Sequence, residues 1–378
     1  MFSLILMDKK ILYAVSIIVG TSIGAGILGL PYALKDNLYY GIFALIFVSL
    51  IIFGTNVMLT KAMFYIKKKK QLIGYIDHYL GSKGKYIMTV AFALSMYGAI
   101  VAYLFGMSAI LVQIIGMNKI FWFVLIMFLV YMVVHHGISW LKRFEFVLTS
   151  LLILLLFAVI IYSFNSVHFS LTNFRFTNTN IFLMIGVSVF AFLNMVALPE
   201  LNELYRFDKK YVEKLTKIAF LGSLVPLIMY ILFVIAIVGV NALTNDLATI
   251  ALYDLFNNGI GLIANIIALI SMLTSYIALS FGLFQMYKYD YGLSKDESLL
   301  FTFFIPIILL VIIIVLGYGF VDILGFTGSV AGGLQGLMIV LMYRKYCKKS
   351  RRYTFLNQLA IGFFSVFYSL LILMYLLP

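Results

Sequence analysis

The stretch GTSIGAGILGLP (Gly20–Pro31) decides how this chain folds. It lies inside a hydrophobic segment, roughly 11–34, that is long enough to cross a bilayer as a helix. Its four glycines and its proline are the residues that most weaken a helix interior. An unpaired backbone N–H or C=O is costly in lipid, so a broken helix persists there only where it lines a cavity.

A break in this segment frees backbone amides and carbonyls inside the membrane and leaves the N-terminus of a half-helix there. Such an N-terminus carries partial positive charge and suits an anionic group. The alternative interpretation is that the glycines only let neighbouring helices pack closely, as small-xxx-small patterns do. That alternative explains one pair of glycines more readily than four glycines followed by Pro31.

The composition of the whole chain indicates a polytopic membrane protein. Of its 378 residues, 64% are hydrophobic and 11% are charged, which excludes an ordinary soluble domain. The length is therefore that of one bundle of spanning helices, and the single cysteine, Cys347, excludes an intrachain disulfide framework. Membrane topology and anionic lipid account for the net charge of +13 without a nucleic-acid partner.

The hydrophobic segments predict eleven transmembrane helices, at about 11–34, 40–65, 86–115, 120–140, 144–164, 181–205, 218–240, 257–287, 298–316, 320–343 and 355–377. When the connections alternate between the two sides, 24 of the 27 Lys and Arg residues fall on one side. By the positive-inside rule this side is the cytoplasm, with the N-terminus inside and the C-terminus outside. The connection 241–258 has helical spacing of apolar residues and predicts a short amphipathic helix.

The sixth span carries a second interruption, VSVFAFLNMVALPE (Val187–Glu200). Pro199 removes a backbone donor and clashes with the carbonyl four residues earlier, and Asn194 places an amide beside the carbonyls so freed. Five spans separate the two interruptions, so the first and sixth helices run in opposite directions. An interrupted helix that recurs, inverted, at the start of a second five-helix unit indicates the binding site of a secondary transporter.

The predicted fold is therefore an all-α integral membrane bundle with a five-plus-five inverted repeat. The first repeat covers residues 1–164 with helices 1–5, and the second covers 181–343 with helices 6–10. The eleventh helix, at 355–378, is appended, and the whole chain forms a single membrane domain.

Four segments resemble the amino acid/auxin permease family, and in particular its prokaryotic branch of aromatic amino acid permeases. GTSIGAGILGLPYA at 20–33 is similar to that family's opening motif, and VFAFLNMVALPE at 189–200 resembles its broken sixth helix. SMLTSYIALSFGLF at 271–284 is similar to its eighth helix, and DILGFTGSVAGG at 322–333 resembles the start of its tenth. These segments span most of the chain in register with eleven helices.

The resemblance implies an amino acid symporter of the LeuT-like fold in the cell membrane. Such a protein imports an amino acid, here neutral or aromatic, by alternating access coupled to a proton or sodium gradient. A protein of the same fold can instead be a sensor that binds an amino acid and signals through a partner. The sequence shows no nucleophile and base pair, metal-ligand spacing or phosphate loop in or beside the spans, so we expect neither an enzyme nor a cofactor.

The broken helices and the resemblance together predict a substrate site. The substrate carboxylate is expected to meet N–H groups of Gly24, Ala25 and Gly26. Its ammonium is expected to meet carbonyls near Ser22, Phe190 and Ala191. The substrate side chain is expected to face candidates on the third, sixth, eighth and tenth helices, namely Tyr97, Phe192, Asn194, Tyr276 and Phe326. With 35 Phe and 26 Tyr in the chain, packing is the alternative role of each aromatic candidate.

Sodium is one candidate coupling ion. The eighth helix offers the hydroxyls of Thr274 and Ser275 and the carbonyl of Ser271, and the first helix offers the carbonyls of Gly20 and Ile23. Oxygen ligands at a helix break suit a small hard cation, and this position resembles a sodium site of the wider fold. The alternative is that the two hydroxyls bond back to their own helix.

A proton is the other candidate, because ionisable residues inside membrane spans are costly and therefore functional by default. The candidates are Glu200, just after Pro199, Asp322, near the outer end of the tenth span, and His135 or His136 in the fourth span. Glu200 can alternatively cap the second half-helix, where an acid suits the first turn. The sequence leaves open whether sodium or a proton is the coupling ion.

Overall fold

The computed structural model describes residues 9–24, 26–66, 70–136, 153–154, 157–158, 160–162, 181–205, 210–240, 245–256, 259–351 and 353–376. Within these ranges the regular elements are all helices. In chain order they are α1 (Lys9–Ser22), α2 (Gly26–Leu34), α3 (Leu38–Phe64), α4 (Leu72–Ile115), α5 (Lys119–His136), α6 (Ile181–Ala191), α7 (Ala197–Tyr205), α8 (Tyr211–Gly239), α9 (Ala248–Phe256), α10 (Gly259–Gln285), α11 (Lys295–Leu316), α12 (Phe320–Phe326), α13 (Gly333–Lys349) and α14 (Phe355–Leu376). Two π-helical segments, Met286–Asp290 and Thr327–Gly332, follow α10 and α12.

These helices confirm the prediction of an all-α membrane bundle. In the described part of the chain, eight helical segments are long and apolar enough to cross a membrane, and α1 with α2 makes a ninth if the pair counts as one span. The apolar α6 is shorter, as expected for half of a broken span. The fifth predicted span, 144–164, falls largely outside the described residues, so the count of eleven stays a prediction.

The first predicted break lies between α1 and α2, whose axes meet at 57°. The N–H of Ile23 still donates to the Val19 carbonyl at 2.8 Å, as in an α-helix. The N–H of Gly24 instead turns back to the Ser22 carbonyl at 3.0 Å, two residues earlier. The regular hydrogen-bond ladder therefore stops within the glycine-rich stretch.

The second predicted break lies between α6 and α7. The N–H groups of Phe192 and Leu193 bond carbonyls three residues earlier, at 3.2 Å each, so the last turn of α6 tightens before it ends. Pro199 is the third residue of α7, where its missing N–H costs no helical hydrogen bond. The proline therefore lies in the first turn of the second half-helix, because its ring prevents a helix from continuing back through the carbonyl four residues earlier.

The helix α4 begins fourteen residues before the predicted third span. It starts at Leu72 and bends at Gly81, whose φ of 70° lies in the left-handed region that favours glycine. Hydrophobicity alone missed this first part because residues 72–85 carry several polar side chains. The short helix predicted within 241–258 is present as α9, which contacts α2 and α10.

The broken helices are held between two groups of neighbours. On one side α3 and α8 pack together. The helix α8 contacts α1 and α2, and α3 contacts α6 and α7. The π-helical segment Thr327–Gly332 also contacts α6, and it packs in turn against α4 and α13. A Cβ atom on Gly328 would lie only 1.9 Å from the Gly186 carbonyl, so this close approach needs glycine at position 328. The packing therefore fixes the α6 break against the tenth predicted span.

Candidate binding site at the two helix breaks

A cavity of about 250 Å³ lies where the two breaks meet. One wall is backbone-rich and comes from residues 20–24, Gly26, Phe190 and Ala191. The opposite walls come from α4, α10 and α13. The volume lies just below the roughly 300–1,000 Å³ that is typical of pockets for drug-sized ligands, so the cavity suits a small solute.

The Tyr230 hydroxyl on α8 links the two breaks. It lies 2.7 Å from the Ser22 carbonyl oxygen and 2.8 Å from the Ala191 carbonyl oxygen. A phenol carries one hydroxyl proton, so the two carbonyls share one donor. The buried ring packs edge-on against Phe192 with a centroid distance of 4.9 Å. Tyr230 therefore holds one carbonyl of each break at a fixed place beside the cavity.

A second hydrogen-bonded link runs through Asn194, which is 1% exposed. Its Nδ2 donates to the Ser22 hydroxyl oxygen at 2.9 Å, and its Oδ1 accepts from Asn56 Nδ2 at 2.9 Å. Asn56 belongs to α3, so the link joins both breaks to that helix. Asn194 was predicted to face the substrate, but its amide is used to join three helical segments.

The predicted backbone half of the site comes together at the cavity. Its wall contains Ser22, Gly24, Gly26, Phe190 and Ala191, all of which the sequence singled out. The remaining predicted donor, Ala25, lies outside the described residues. The N–H of Gly24 is already used by the Ser22 carbonyl, which leaves Gly26 as the described residue at the N-terminus of α2.

The predicted side-chain half of the site is not at the cavity wall. The Tyr97 hydroxyl meets that of Tyr287 at 2.6 Å and donates to the Phe301 carbonyl at 3.1 Å. Phe192 packs against Tyr230. Tyr276 is fully buried, and no residue between Ser275 and Ala278 lines the cavity. These side chains therefore contribute to packing around the cavity. Phe326 is likewise off the wall, 41% exposed and beside Tyr375.

Helical periodicity explains which faces reach the cavity. The wall residues on α4 and on α10 recur every three or four positions, so each set forms one face of its helix. They are Phe92, Ser95, Met96, Ala99 and Tyr103 from α4 and Ser271, Ser275, Ala278 and Leu279 from α10. Tyr97 and Tyr276 fall off these stripes. The contribution of α13 is Gln335, an amide in the middle of the tenth predicted span. Its polarity at that depth was the signal that could have identified it.

The predicted sodium ligands are partly gathered at the cavity. Gly20, Ile23, Ser271 and Ser275 line it. The Thr274 hydroxyl bonds back to the Ile270 carbonyl at 3.1 Å and the Ser271 carbonyl at 3.0 Å. Thr274 therefore bonds back to its own helix, as the alternative predicted, although its oxygen keeps lone pairs that could bind a cation. Ser275 lines the cavity.

Of the predicted proton carriers, Asp322 does not line this cavity. The backbone of Glu200 belongs to α7, and its side chain lies outside the described part of the chain. Asp322 Oδ2 accepts the N–H of Gly319 at 2.9 Å and so caps the start of α12. Burial, and then the nearby charge of Asp322, raise the pKa of Asp246 in the connection before α9.

The electrostatics of the cavity come from backbone dipoles and neutral polar groups. Its wall contains no Asp, Glu, Lys, Arg or His among the described residues. Across all residues that the structure describes, no group of three or more His, Cys, Asp or Glu side chains is arranged to hold a metal ion. The site is therefore suited to a ligand that is neutral overall.

Comparisons with known proteins agree with this architecture. The family model described as the tryptophan/tyrosine permease family matches residues 7–376. Glutamine transporter 2 of Aliivibrio fischeri is 23% identical over an alignment of 349 residues, which covers 86% of this chain and 86% of the transporter.

Two solved structures share the fold at low identity. MhsT in complex with L-phenylalanine has a TM-score of 0.61 at 17% identity and covers 98% of both chains. A manganese transporter of Eremococcus coleocola has a TM-score of 0.60 at 12% identity, over 96% of this chain and 93% of the other. These likenesses show the fold alone, and they confirm the predicted LeuT-like architecture.

Proposed function

Because this chain belongs to the tryptophan/tyrosine permease family, we propose that it carries a neutral amino acid across the membrane by alternating access. Family membership also confirms that the chain is an amino acid permease rather than an enzyme. The relatives' names include glutamine and phenylalanine as ligands of other proteins, and both are neutral amino acids. The cavity between the two helix breaks is the observation that carries the proposal.

The described cavity wall has no charged side chain, yet it has freed backbone groups from two helices. A neutral amino acid carries a carboxylate and an ammonium, whose charges need opposite partners in a low-dielectric site. Backbone N–H groups and carbonyls supply these partners without the cost of a buried ionised side chain. The arrangement favours a zwitterion over an ion of net charge.

The carboxylate is placed at the N-terminus of α2. Gly26 begins this helix and lines the cavity, and the first N–H groups of a helix lack partners within it. The positive end of the helix dipole adds to the attraction for an anion. A Cβ at Gly24 would have nothing within 4 Å, so there is space next to this end for the carboxylate.

The ammonium is placed at the carbonyls of Ser22 and Ala191. Both carbonyls belong to cavity-lining residues, and both share the single Tyr230 proton. A carbonyl oxygen accepts two hydrogen bonds. The Ser22 oxygen already accepts the N–H of Gly24 and the Tyr230 hydroxyl, whereas the Ala191 oxygen keeps capacity for a further donor. An ammonium therefore donates to the Ala191 oxygen and lies beside the negative end of the Ser22 carbonyl dipole.

A divalent metal is a less suitable cargo for this chain than for the manganese transporter of similar fold. Hard and borderline divalent ions take carboxylate or imidazole ligands. The described cavity wall offers hydroxyls, one amide and backbone groups only. The proposal therefore assigns an amino acid, not a metal ion, to the cavity.

Transport requires the cavity to face each side of the membrane in turn. In the proposed cycle α1 and α2 with α6 and α7 move against the remaining helices, as the two five-helix repeats 1–164 and 181–343 suggest. In this proposal the N-terminus lies in the cytoplasm and the C-terminus outside, and the distribution of basic connections supports this orientation. The chain is then a multi-pass protein of the cell membrane.

A sodium or proton gradient supplies the driving force in this proposal. Sodium would be held by the Ser275 hydroxyl, the Thr274 oxygen and the carbonyls of Gly20, Ile23 and Ser271. A proton would be held by Glu200 or by Asp322, which lies close enough to Asp246 to raise the pKa of that carboxyl. Each choice predicts a different dependence of uptake on the two gradients.

If sodium is the coupling ion, Thr274→Ala with Ser275→Ala is expected to abolish the dependence of uptake on a sodium gradient, because two oxygen ligands are lost. Ser271→Ala is the matched control, since it keeps the backbone carbonyl. Initial uptake rates at increasing sodium concentration measure the effect. Sodium dependence that survives the double substitution would refute this ligand assignment.

Uptake by purified protein in proteoliposomes tests the proposed function. A panel of radiolabelled amino acids is offered with a sodium gradient and separately with a proton gradient, each with and without ionophore. Accumulation of a neutral amino acid under one gradient is expected. Saturable binding without accumulation under either gradient would indicate a sensor, and failure to bind any amino acid would overturn the proposal.

A further inference from the structure

The amide of Gln335 is the side chain that α13 contributes to the cavity. Gln335 is 2% exposed and lies on the cavity wall. The adjacent faces of the helix are occupied by packing. A Cβ on Gly336 would lie 2.2 Å from the Tyr368 ring, and one on Gly333 would lie 2.7 Å from Ile372. These contacts with α14 turn the amide toward α4 and the cavity.

The orientation of this amide follows from its one hydrogen bond. Gln335 Nε2 donates to the Ala91 carbonyl oxygen at 3.4 Å. A backbone carbonyl only accepts hydrogen bonds, so the amide nitrogen must face Ala91. The Gln335 oxygen has no hydrogen-bond partner among the described residues, and it is not enclosed by protein. It is therefore an acceptor open to the cavity.

An unused acceptor at this place is costly. The nearby walls are largely apolar and include Phe92, Met96 and Leu279. A ligand that filled the cavity with an apolar group would remove water from the amide oxygen and leave it unpaired, which weakens the binding of that ligand. Sites that hydrogen-bond a substrate group reject analogues lacking that group much more strongly than apolar pockets reject an extra methylene.

We propose that Gln335 selects amino acids whose side chain ends in a hydrogen-bond donor. The donor is a carboxamide N–H, a phenol O–H or an indole N–H, which the Gln335 oxygen accepts. Side chains of similar size without a donor, such as a phenyl or a thioether, bind more weakly. This inference rests on the proposed function and deepens it by naming the class of substrate.

Binding of matched pairs to the purified protein tests the inference. The pairs are tyrosine against phenylalanine and glutamine against methionine, which differ chiefly in the donor. The wild-type protein is expected to bind the first member of each pair about tenfold more tightly, as one neutral hydrogen bond allows. Gln335→Met is expected to remove this preference by weakening the donor-bearing member, while the affinity for the apolar member changes less than about threefold.

Gln113→Met is the matched control, because Gln113 bonds Asp254 and Asn265 at 2.7 Å each and lies away from this cavity. It should leave both preferences unchanged. Equal wild-type binding within both pairs would overturn the inference even if Gln335→Met fails to fold. Equal loss of both members in a folded Gln335→Met protein would also overturn it. If the wild type binds none of the four amino acids, the proposed function fails instead.

Discussion

Gly26→Leu is expected to lower the initial rate of amino acid uptake at least about a hundredfold while the protein still inserts in the membrane. A Cβ at this position would lie 3.0 Å from Phe190 Cδ1 and 3.2 Å from the Ala191 Cα. Both contacts belong to the other helix break, so the larger side chain must push the two breaks apart. A displacement of about 1 Å at a site of this kind can cost on the order of 10²-fold in rate.

Gly362→Ala is the matched control for this substitution. Gly362 lies on α14 outside the cavity wall, and a Cβ there has nothing within 4 Å, so we expect uptake within about threefold of wild type for a change that adds one methyl group. Gly26→Ala should fall between the two variants because its methyl group alone meets Phe190 and Ala191. Normal uptake by the Gly26→Leu protein, with its monodispersity in detergent preserved, would contradict the site.

Tyr230→Phe is expected to raise the KM of uptake by about 5- to 150-fold with a smaller change in the maximal rate. The substitution keeps the ring packed against Phe192 but removes the only proton shared by the Ser22 and Ala191 carbonyls. Loss of the partner of a buried polar group costs about 1–3 kcal/mol. The two carbonyls then lose the common contact that sets their positions for one ammonium.

Tyr368→Phe is the control for loss of a buried hydroxyl. Tyr368 is also fully buried, and its hydroxyl lies 2.8 Å from that of Thr55, away from the cavity. A purely structural effect of Tyr230 would lower the thermal stability of both variants and leave the KM of both near wild type. A competitor without the amino group should bind the Tyr230→Phe and wild-type proteins equally. An unchanged KM for the Tyr230→Phe protein would contradict the assigned role.

The two breaks were predictable because their causes are local. Glycines around Gly24 and the fixed geometry of Pro199 act on the backbone within a few residues, whatever the surrounding fold. Each break lies in the first helix of a predicted five-helix unit, and this matching position indicated the inverted repeat and the shared cavity. The backbone half of the candidate site followed directly from these features.

The side-chain half was not predictable because it depends on helix rotation. The third and eighth spans are apolar around most of their circumference, so no amphipathic stripe shows which face points inward. Tyr97 and Tyr276 were predicted as aromatic candidates on these two spans, but they lie off the stripes that reach the cavity. Tyr230 and Gln335 depend on contacts between distant spans, which only the packed bundle brings together.

Protection of a cavity cysteine by substrate tests most directly the claim that the amino acid binds between the two breaks. The native Cys347 is buried, so Cys347→Ala provides a background for Ser275→Cys at the cavity wall. Ser82→Cys, at an exposed position, is the control. The rate of labelling by a small thiol reagent is measured in membranes with and without a transported amino acid.

At a substrate concentration ten times its Kd, labelling of the Ser275→Cys protein should slow by about tenfold, because few cavities remain free. The Ser82→Cys protein should label at the same rate with and without substrate. Unchanged labelling of the Ser275→Cys protein at a saturating concentration of an amino acid that it transports would contradict the account.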